Sequence, residues 1–321
     1  MDDPLSDVLA AARLKSSQFF CTEAEAPWGL GFRAIPTTVR WHYIARGSCC
    51  LSVAKGGIPR IAASGGDLLV LARGHGHSLQ DNPRSPIAQL EDIVSSQSTE
   101  LQQHIHLATG TVAGAKTFIA TGSFELEDLS EMPILSALPP VISVTPDVHT
   151  VPSFVQNLQF ITREAESNRP GLKIVLRRMA DVIFVQILRA YIEGLPETTQ
   201  GFLGALRDPR IAAALGLIHG HPGEAWTVSS LAERSGLSRS PFAARFARLV
   251  GEAPLGYLTR VRMQKAVRLL RGGATLAKVA EATGYASETS FSHAFRQWAG
   301  SSPGAYRRSH RSVAGADDGA S

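Results

Sequence analysis

Short runs of alternating apolar and polar residues fill the first third of the chain. Three of them have the length and the β-branched or aromatic content that are typical of strands: VRWHYIARG (39–47), CCLSV (49–53) and DLLVLARG (67–74). Stretches rich in glycine and proline, such as KGGIP and SGGD, separate these runs as turns separate strands. The pattern predicts a β-rich unit that extends to about Phe124.

From about Pro152 onward the apolar positions recur every three to four residues, which predicts helices. A first helix should end near Gly171. The next helix carries an apolar stripe of Ile174, Leu176, Met179, Ile183, Ile187 and Tyr191, and a second apolar flank of Phe184, Val185 and Leu188. This surplus of apolar surface predicts a dimerisation helix, although complete burial against the β-rich unit would use the same residues.

The last hundred residues contain an internal repeat, formed by LAERSGLSRSPFAARFARLVGEAP (231–254) and VAEATGYASETSFSHAFRQWAGSSP (279–303). The matching positions are Ala232 with Ala280, Gly236 with Gly284, Phe242 with Phe291, and Phe246 with Phe295. A small alanine lets a second helix cross closely, a glycine permits a tight turn, and phenylalanines four residues apart form one buried stripe. The repeat therefore predicts two helix-turn-helix units, at about 229–250 and 277–299.

Two further features support these units. Ser238 and Ser287 stand where they can cap the second helix of each unit. The segment from Pro254 to Arg271 predicts one apolar-striped helix of 18 residues. Such a helix spans about 27 Å, close to the ~34 Å between successive major-groove faces on one side of DNA. It could therefore place one helix of each unit in adjacent grooves.

Charge is distributed unevenly along the 321 residues, whose net charge is +4. Residues 1–200 contain 16 Lys and Arg against 20 Asp and Glu, whereas residues 201–321 contain 16 against 8. A basic second segment is expected of a nucleic-acid binder, although a solvated basic surface would give the same balance. The acidic start of the chain does not resemble a signal peptide, no apolar run is long enough to span a bilayer, and three cysteines do not suit a disulfide framework. We therefore expect a cytoplasmic protein.

The region from about Asp208 to Arg308, with both units and the ending GSSPGAYRR, resembles the DNA-binding domain of the AraC/XylS family of bacterial transcription regulators. WHYIARG and GGDLLVLARGHGH resemble corresponding segments of the cupin-type sensor domain that often precedes it. The resemblance implies an α+β multidomain protein that forms a homodimer and binds double-stranded DNA, a small-molecule effector and RNA polymerase. We expect a cupin-like β-barrel over 1–150, a helical dimerisation and linker region over 151–200, an all-α domain with two helix-turn-helix units over 201–310, and a disordered tail over 311–321.

The family commonly reads bases from the second helix of each unit, on the face opposite the phenylalanines. At 100° per residue this outward face carries Ser240, Ala243, Ala244 and Ala247 in the first unit, and Thr289, Ser292, His293 and Arg296 in the second. Ser287, at the start of the second of these helices, is also expected to contact DNA. Alanines can touch thymine methyl groups but make no bidentate contact to guanine. Three arginines that flank the first face suit phosphates, unless they merely form a solvated helix face: Arg239, Arg245 and Arg248.

Metal-binding cupins use two histidines two residues apart, a glutamate five residues later and a glycine seven residues beyond that. Counting back from Gly47 places Arg40 at the glutamate position and Arg33 and Ile35 at the histidine positions. In the second motif, Gly66, Gly74 and His77 fit the pattern, and Ala72 stands where proline is usual. His77 is the one metal ligand that this motif keeps. One of four expected ligands survives, so we expect neither a metal nor another cofactor.

Arg40 and His42 have the same strand parity, and the cupin register directs His77 to the same interior. We predict that these three residues contact an effector, with an anion favoured because an arginine replaces the glutamate. Two alternatives stay open. The groups could satisfy one another inside the barrel, or His42 and His77 could bind a metal together with His75, which shares a face with His77 if both lie on a strand.

The three cysteines permit a different kind of sensor. Cys49 and Cys50 are neighbours on a predicted strand and face opposite ways, whereas Cys21 could reach either of them. Inert buried thiols are the other interpretation. The leading hypothesis is a sequence-specific transcription regulator that is not an enzyme. Its alternatives are a metal-dependent cupin enzyme with a DNA-binding appendage and a thiol redox-sensing regulator that uses Cys21.

Overall fold

The computed structural model describes residues 14–54, 57–96, 104–108, 114–126, 135, 137–146, 152–167, 169–196 and 198–314. These residues form two compact units, one up to residue 195 and the other from residue 196. The first is rich in β-sheet and the second is helical, which confirms the predicted two-part α+β architecture. None of the helices in the described ranges has the length and apolar character needed to cross a membrane.

The strands described in the N-terminal unit form two sheets. They are β1 (Leu14–Glu25), β2 (Gly29–Phe32), β3 (Thr38–Arg46), β4 (Ser48–Val53), β5 (Ile61–Ser64), β6 (Leu68–Leu71), β7 (His77–Gln80), β8 (Ala88–Gln89), β9 (His104–Ala108), β10 (Lys116–Leu126) and β11 (Val141–Val144). One sheet has the order β11-β6-β3-β10-β1-β9 and the other the order β5-β4-β7-β2-β8. The three strands predicted from apolar alternation correspond to β3, β4 and β6.

Both sheets contribute to one apolar core. Leu30 and Phe32 on β2 and Leu79 on β7 belong to the same buried cluster as Ile44 on β3 and Leu69 on β6. Burial of such side chains stabilises the pair of sheets by removing apolar surface from water. The core thereby sets the positions of β2, β3 and β7, which carry the predicted effector residues or lie next to them.

Three helices belong to the N-terminal unit: α1 (Leu90–Ser96), α2 (Pro152–Glu166) and α3 (Leu172–Glu193). The Phe184 ring on α3 lies 4.7 Å from the Phe124 ring on β10, and Ile183 and Ile187 are also buried. Ile174 was predicted on the same stripe as Leu176, but it is 54% exposed. Two residues along a helix turn the side chain by about 200°, so these two positions cannot share one face.

The C-terminal unit consists of α4 (Phe202–Leu206), α5 (Pro209–Gly220), α6 (Val228–Arg234), α7 (Arg239–Val250), α8 (Pro254–Arg271), α9 (Leu276–Ala282), α10 (Glu288–Ala299) and α11 (Pro303–Ala314). The last helix enters the tail that was predicted to be disordered from residue 311, because the first helix-breaking residue there is Gly315. Residues 315–321 of that tail lie outside the described residues.

Candidate functional site

Each copy of the repeat forms two helices joined by a tight turn, α6 with α7 and α9 with α10. The turn glycines have positive φ angles, 65° at Gly236 and 74° at Gly284. Ala232 and Ala280 are buried on the first helix of each pair. The phenylalanines of the second helices are fully buried, as predicted: Phe242, Phe246, Phe291 and Phe295. The structure thus confirms both helix-turn-helix units, and we call α7 and α10 the first and second recognition helices.

The two recognition helices begin differently. The hydroxyl of Ser287 accepts a hydrogen bond from the backbone N–H of Ser290 at 3.1 Å, and the backbone N–H of Ser287 donates to the Ser290 hydroxyl at 3.2 Å. Ser238 occupies the corresponding position before α7, but its side chain makes no capping hydrogen bond. The residue three positions on is Pro241, which has no N–H to donate. The predicted caps were therefore right for Ser287 and wrong for Ser238.

The outward face of the first recognition helix has few hydrogen-bond donors. Ser240 and Ala244 are exposed and Ala243 is half-buried. Arg239 and Arg248 are exposed beside this face. Methyl groups therefore make up the centre of this surface, and the charged donors lie at its edges.

Arg245, the third arginine of this helix, has a partner inside the C-terminal unit. Its guanidinium forms an ion pair with the carboxylate of Asp208. The same carboxylate caps α5, where it accepts hydrogen bonds from the backbone N–H groups of Arg210 and Ile211 at 3.1 and 3.2 Å. Arg245 thus ties the first recognition helix to the start of α5, and its predicted phosphate contact stays a prediction.

The second recognition helix presents a more polar outward face. Thr289, His293 and Arg296 are exposed, and Ser292 is half-buried. Ser287, which was also predicted to face DNA, is exposed while its hydroxyl serves as the helix cap. This helix therefore offers several donors where the first recognition helix offers mainly methyl groups.

In the N-terminal unit, Thr121, His42 and His77 form a chain of hydrogen bonds. His42 Nδ1 lies 2.9 Å from Thr121 Oγ1, the two Nε2 atoms of the histidines lie 2.8 Å apart, and His77 Nδ1 lies 2.8 Å from the carbonyl oxygen of His75. Because a carbonyl oxygen only accepts, Nδ1 of His77 carries a proton, and in the neutral ring Nε2 of His77 therefore accepts from His42. Nδ1 of His42 then accepts from the Thr121 hydroxyl. All four ring nitrogens are used, and both rings are neutral.

Burial keeps these histidines uncharged. Desolvation, reinforced by the positive charge of Arg40, lowers the pKa of His77 to about 3, although its hydrogen bond to the His75 backbone acts in the opposite direction. For the fully buried His42, desolvation followed by the charges of His77 and Arg40 lowers the pKa well below its ordinary value. The Thr121–His42–His77 chain is therefore neutral at physiological pH.

Arg40 is a buried cation next to this chain. It is 8% exposed, and its Cζ lies 4.7 Å from the centre of the Phe32 ring. Desolvation lowers the pKa of its guanidinium to about 10, partly offset by the charge of Glu91, so the group remains positive at neutral pH. Its Nε has no hydrogen-bond partner among the described residues. A buried cationic donor without a partner is costly, and it favours a ligand that can accept its hydrogen bond.

A cleft of about 560 Å³ lies beside these residues, and its lining includes Phe32, Arg73, His75 and His77. A much smaller cavity of about 10 Å³ is lined by Arg40 and shares His75 and His77 with the cleft. His42 is completely buried and contacts Phe32 and His77 instead. The structure therefore places Arg40 and His77 at the cavities and His42 behind them.

The remaining metal-ligand positions of the cupin pattern carry no ligand. Arg33 forms ion pairs with Glu91 and Asp92 at 3.7 and 3.4 Å. Within the part of the chain that the structure describes, no group of three His, Cys, Asp or Glu side chains could hold a metal ion. The expectation that His75 and His77 share a strand face was wrong, because β7 begins at His77 and His75 contributes its backbone carbonyl.

The three cysteines are thiols. Cys21 is buried on β1 and Cys49 is buried on β4, and these strands belong to different sheets. Desolvation, with smaller contributions from Cys50 and Asp67, raises the pKa of the Cys49 thiol to about 12, which disfavours the reactive thiolate. Redox sensing through Cys21 stays a prediction.

Three contributors to these sites were missed from the sequence. Asp208 had a usable signal, since an aspartate followed by proline is typical of a helix start. Thr121 had none, because its contact with His42 depends on the register of β3 against β10. Phe32 likewise reaches the histidines only through the packing of the two sheets.

Each of the two units contains a region that matches a known protein family. A family model described as "Cupin" matches residues 3–193, and one described as "Helix-turn-helix domain" matches residues 231–309. A putative AraC-like transcription regulator of Streptomyces lividans is 32% identical over 95% of this chain and 98% of its own length. The HTH-type transcriptional regulator AlkR of Acinetobacter baylyi is 28% identical over 95% of this chain and 99% of its own.

Among solved structures, the DNA-binding domain of AdpA in complex with a target DNA is 33% identical, with a TM-score of 0.31, and the match covers 33% of this chain and 96% of that one. The full-length relatives are transcription regulators rather than enzymes, which confirms the prediction that this chain is not an enzyme. Matching cupin and helix-turn-helix regions, together with this identity over almost the whole length, show that the chain belongs to the AraC-like family of DNA-binding transcription regulators.

Proposed function

We propose that this regulator responds to a small anionic effector, which binds in the N-terminal unit and changes how the C-terminal unit acts on DNA. The observation that carries this proposal is the buried guanidinium of Arg40, whose Nε lacks a partner among the described residues. It lines a small cavity that shares His75 and His77 with a cleft of about 560 Å³. A cleft of this size suits a small molecule.

Charge favours an anion in this position. Both neighbouring histidines are neutral, so the positive charge of these three residues lies on Arg40. The Glu91 carboxylate interacts electrostatically with Arg40. It also forms an ion pair with Arg33, at 3.7 Å, so it is shared between two arginines. A carboxylate or phosphate group would gain a charge-assisted hydrogen bond from the guanidinium, whereas a divalent cation would be repelled.

Arg40 and His77 are the proposed contacts of the effector, and His42 is a positioning residue. Because His42 donates to His77 Nε2, it keeps the His77 ring in one tautomer and one orientation. The two sheets would together form the cupin-like barrel around this site. The DNA contacts are proposed at the predicted positions, with hydrogen-bonding specificity concentrated on His293 and Arg296 of the second recognition helix.

We further propose that the regulator is a homodimer and that it acts on RNA polymerase, as its family membership favours. The exposed apolar residues Ile174 and Val182 on α3 and Phe160 on α2 support a dimer contact there. The more deeply buried part of the predicted stripe already packs within the N-terminal unit, so a partner would meet the opposite side of α3.

Selection of bound sequences from a random DNA pool with the full-length chain tests this function. The affinity for the selected DNA is then measured with acetate, benzoate, citrate and inorganic phosphate present in turn. We expect at least one anion to change this affinity, and we expect Arg40→Gln to lose that response while it still binds the DNA. Cys21→Ser should keep the response. A response that survives in Arg40→Gln but disappears in Cys21→Ser would transfer sensing to the thiol.

A further inference from the structure

We propose that Arg262, in the middle of α8, locks the two helix-turn-helix units into one rigid body and thereby fixes the spacing between the two halves of the DNA site. The proposal rests on each recognition helix reading one half of that site. Arg262 would act as a positioning residue, because the groups that it touches are backbone carbonyls and a tyrosine ring inside the C-terminal unit.

The guanidinium of Arg262 first binds the loop that leads into the first unit. Its Nε donates to the carbonyl oxygen of Pro222 at 2.8 Å, and its Nη2 donates to the carbonyl oxygen of Glu224 at 2.7 Å. This loop has hydrogen bonds of its own, since the Trp226 Nε1–H and the Glu224 N–H both donate to the carbonyl oxygen of His221, at 2.9 and 3.1 Å. Arg262 therefore holds an ordered loop rather than a single isolated carbonyl.

The same guanidinium contacts the turn of the second unit. Its Cζ lies 5.8 Å from the centre of the Tyr285 ring, and Tyr285 directly follows the turn glycine. The Tyr285 ring in turn packs against Phe291 of the second recognition helix, with 5.9 Å between the ring centres. A path of contacts thus runs from the first unit through Arg262 to the second recognition helix.

Two glycines let the loop and the turn approach each other. A Cβ atom on Gly284 would lie 2.3 Å from the carbonyl oxygen of Gly223 and 2.9 Å from Nη2 of Arg262. Gly223 is similarly close to the turn, since a Cβ there would meet the carbonyl oxygen of Ala282 at 3.1 Å. The first-unit loop, α8 and the second-unit turn therefore meet at one point, with Arg262 as the side chain that contacts both.

This geometry has a consequence for DNA. The planar guanidinium binds two carbonyls of the loop at once and also contacts the Tyr285 ring of the second unit, so a rotation of one unit against the other would break these hydrogen bonds or the ring contact. A rigid pair of recognition helices tolerates one spacing between half-sites. An inserted base pair moves one half-site along the groove and around the helix, and the displaced helix loses its base contacts.

The test uses the full-length chain and its selected DNA, with one base pair inserted or removed between the two halves of the site. We expect the parent protein to bind these spacing variants about tenfold more weakly or worse, the size of effect of losing one base contact. Arg262→Ala should bind the original spacing less well and discriminate between spacings by less than about threefold. Arg260→Ala is the matched control, because Arg260 lies on the same helix but pairs with Glu252, and it should keep full discrimination.

The variant Arg262→Lys distinguishes the effect of the two guanidinium hydrogen bonds from the effect of the positive charge. Lysine keeps the positive charge but cannot present the flat, two-pronged donor, so we expect it to behave like Arg262→Ala. If Arg262→Lys still discriminated between the spacings, the charge would be acting on DNA phosphates, and this result would overturn the proposal. A uniform loss of affinity on all spacings in Arg262→Ala would overturn it as well, because a merely destabilised domain would behave in that way.

A second measurement needs no DNA, and it therefore distinguishes failure of this proposal from failure of the proposed DNA contacts. Spin labels are attached at Ala247→Cys and Gln297→Cys, which are exposed on the two recognition helices, in a chain whose three native cysteines are alanine. The distribution of distances between the labels should be narrow with Arg262 present and broader in Arg262→Ala. An equally narrow distribution in both proteins would overturn the proposed lock.

Discussion

Asp208 and Arg245 form an ion pair that joins the start of α5 to the side of the first recognition helix. Asp208 is 9% exposed, and its carboxylate already accepts hydrogen bonds from two backbone N–H groups. The Arg245 side chain, which is 43% exposed, is thus directed toward Asp208. Arg248, three residues further on, is exposed and has no ion pair among the described residues.

This difference predicts different salt dependences for the two arginines. Arg248→Ala should weaken DNA binding on every sequence and reduce the slope of log K against log salt by about one, since one phosphate contact is lost. Arg245→Ala should leave the slope unchanged, because its charge is already paired with the Asp208 carboxylate. Titrations of the selected DNA at several salt concentrations measure both slopes, and a reduced slope in Arg245→Ala would restore the phosphate contact predicted from the sequence.

The second recognition helix should carry more of the base specificity than the first. His293→Ala should relax the base preference in one half of the site, since a good base contact is worth roughly 1–3 kcal/mol of discrimination. Ala244→Ser, at the centre of the outward face of the first helix, is the comparison variant and should alter the preference in the other half only. Repeating the selection from random DNA with each variant shows which half changes, and an unchanged preference in His293→Ala would contradict the assignment.

The two helix caps predict unequal effects on stability. Ser287→Ala removes the acceptor for the backbone N–H of Ser290 and should lower the free energy of unfolding by about 1 kcal/mol. Ser238→Ala should cost much less, because Pro241 leaves its hydroxyl without that bond. Urea unfolding of both variants provides the comparison. Equal losses would mean that the Ser238 hydroxyl has a capping role after all.

The neutral histidine pair predicts that the N-terminal unit loses stability in acid. An unfolded histidine has a pKa of about 6.5. In the folded unit the pKa of His77 is about 3, and that of His42 is also lowered. Below about pH 6.5 the unfolded chain therefore binds more protons, so stability falls as the pH falls. His77 contributes at most about 1.4 kcal/mol per pH unit over this range, and His42 changes the stability in the same direction.

Fluorescence of Trp28 and Trp41 reports on this unit in a chain that carries Trp226→Phe and Trp298→Phe. The free energy of unfolding in urea should decrease steeply from pH 7 to pH 5. The double variant His42→Leu/His77→Leu should show a much shallower decrease, because two protonation events are removed. A stability that stays flat over this range in the parent chain would contradict the neutral, buried state of the pair.

The proposed dimer predicts a charge-sensitive surface on α3. Val182 is 44% exposed, and a glutamate there would bring a charge into an apolar contact. Val182→Glu should therefore convert the dimer into a monomer in sedimentation experiments at micromolar concentration. Lys173→Glu, an exposed position on another side of the same helix, should leave the dimer intact. A parent chain that already sediments as a monomer would remove the proposal.

Local determinants explain why the helix-turn-helix repeat could be predicted from the sequence. The glycine turn, the small alanine and the phenylalanines four residues apart all act within about two dozen residues, and each imposes a particular helix geometry. The strands β3, β4 and β6 were predictable for the same reason, because alternation is a property of consecutive residues. The error at Ser238 was also local, since Pro241 stands in the same sequence.

The sequence by itself thus determined the family, the repeat and the arginine that replaces a metal ligand at position 40. Only the tertiary structure decided what these residues touch. His42 meets Thr121 because β3 pairs with β10 in one register, and a shift by one residue would turn that side chain to the other face. Arg262 likewise binds carbonyls 38 and 40 residues away in the chain. Such contacts depend on which elements are neighbours in space, and residue spacing alone does not encode that.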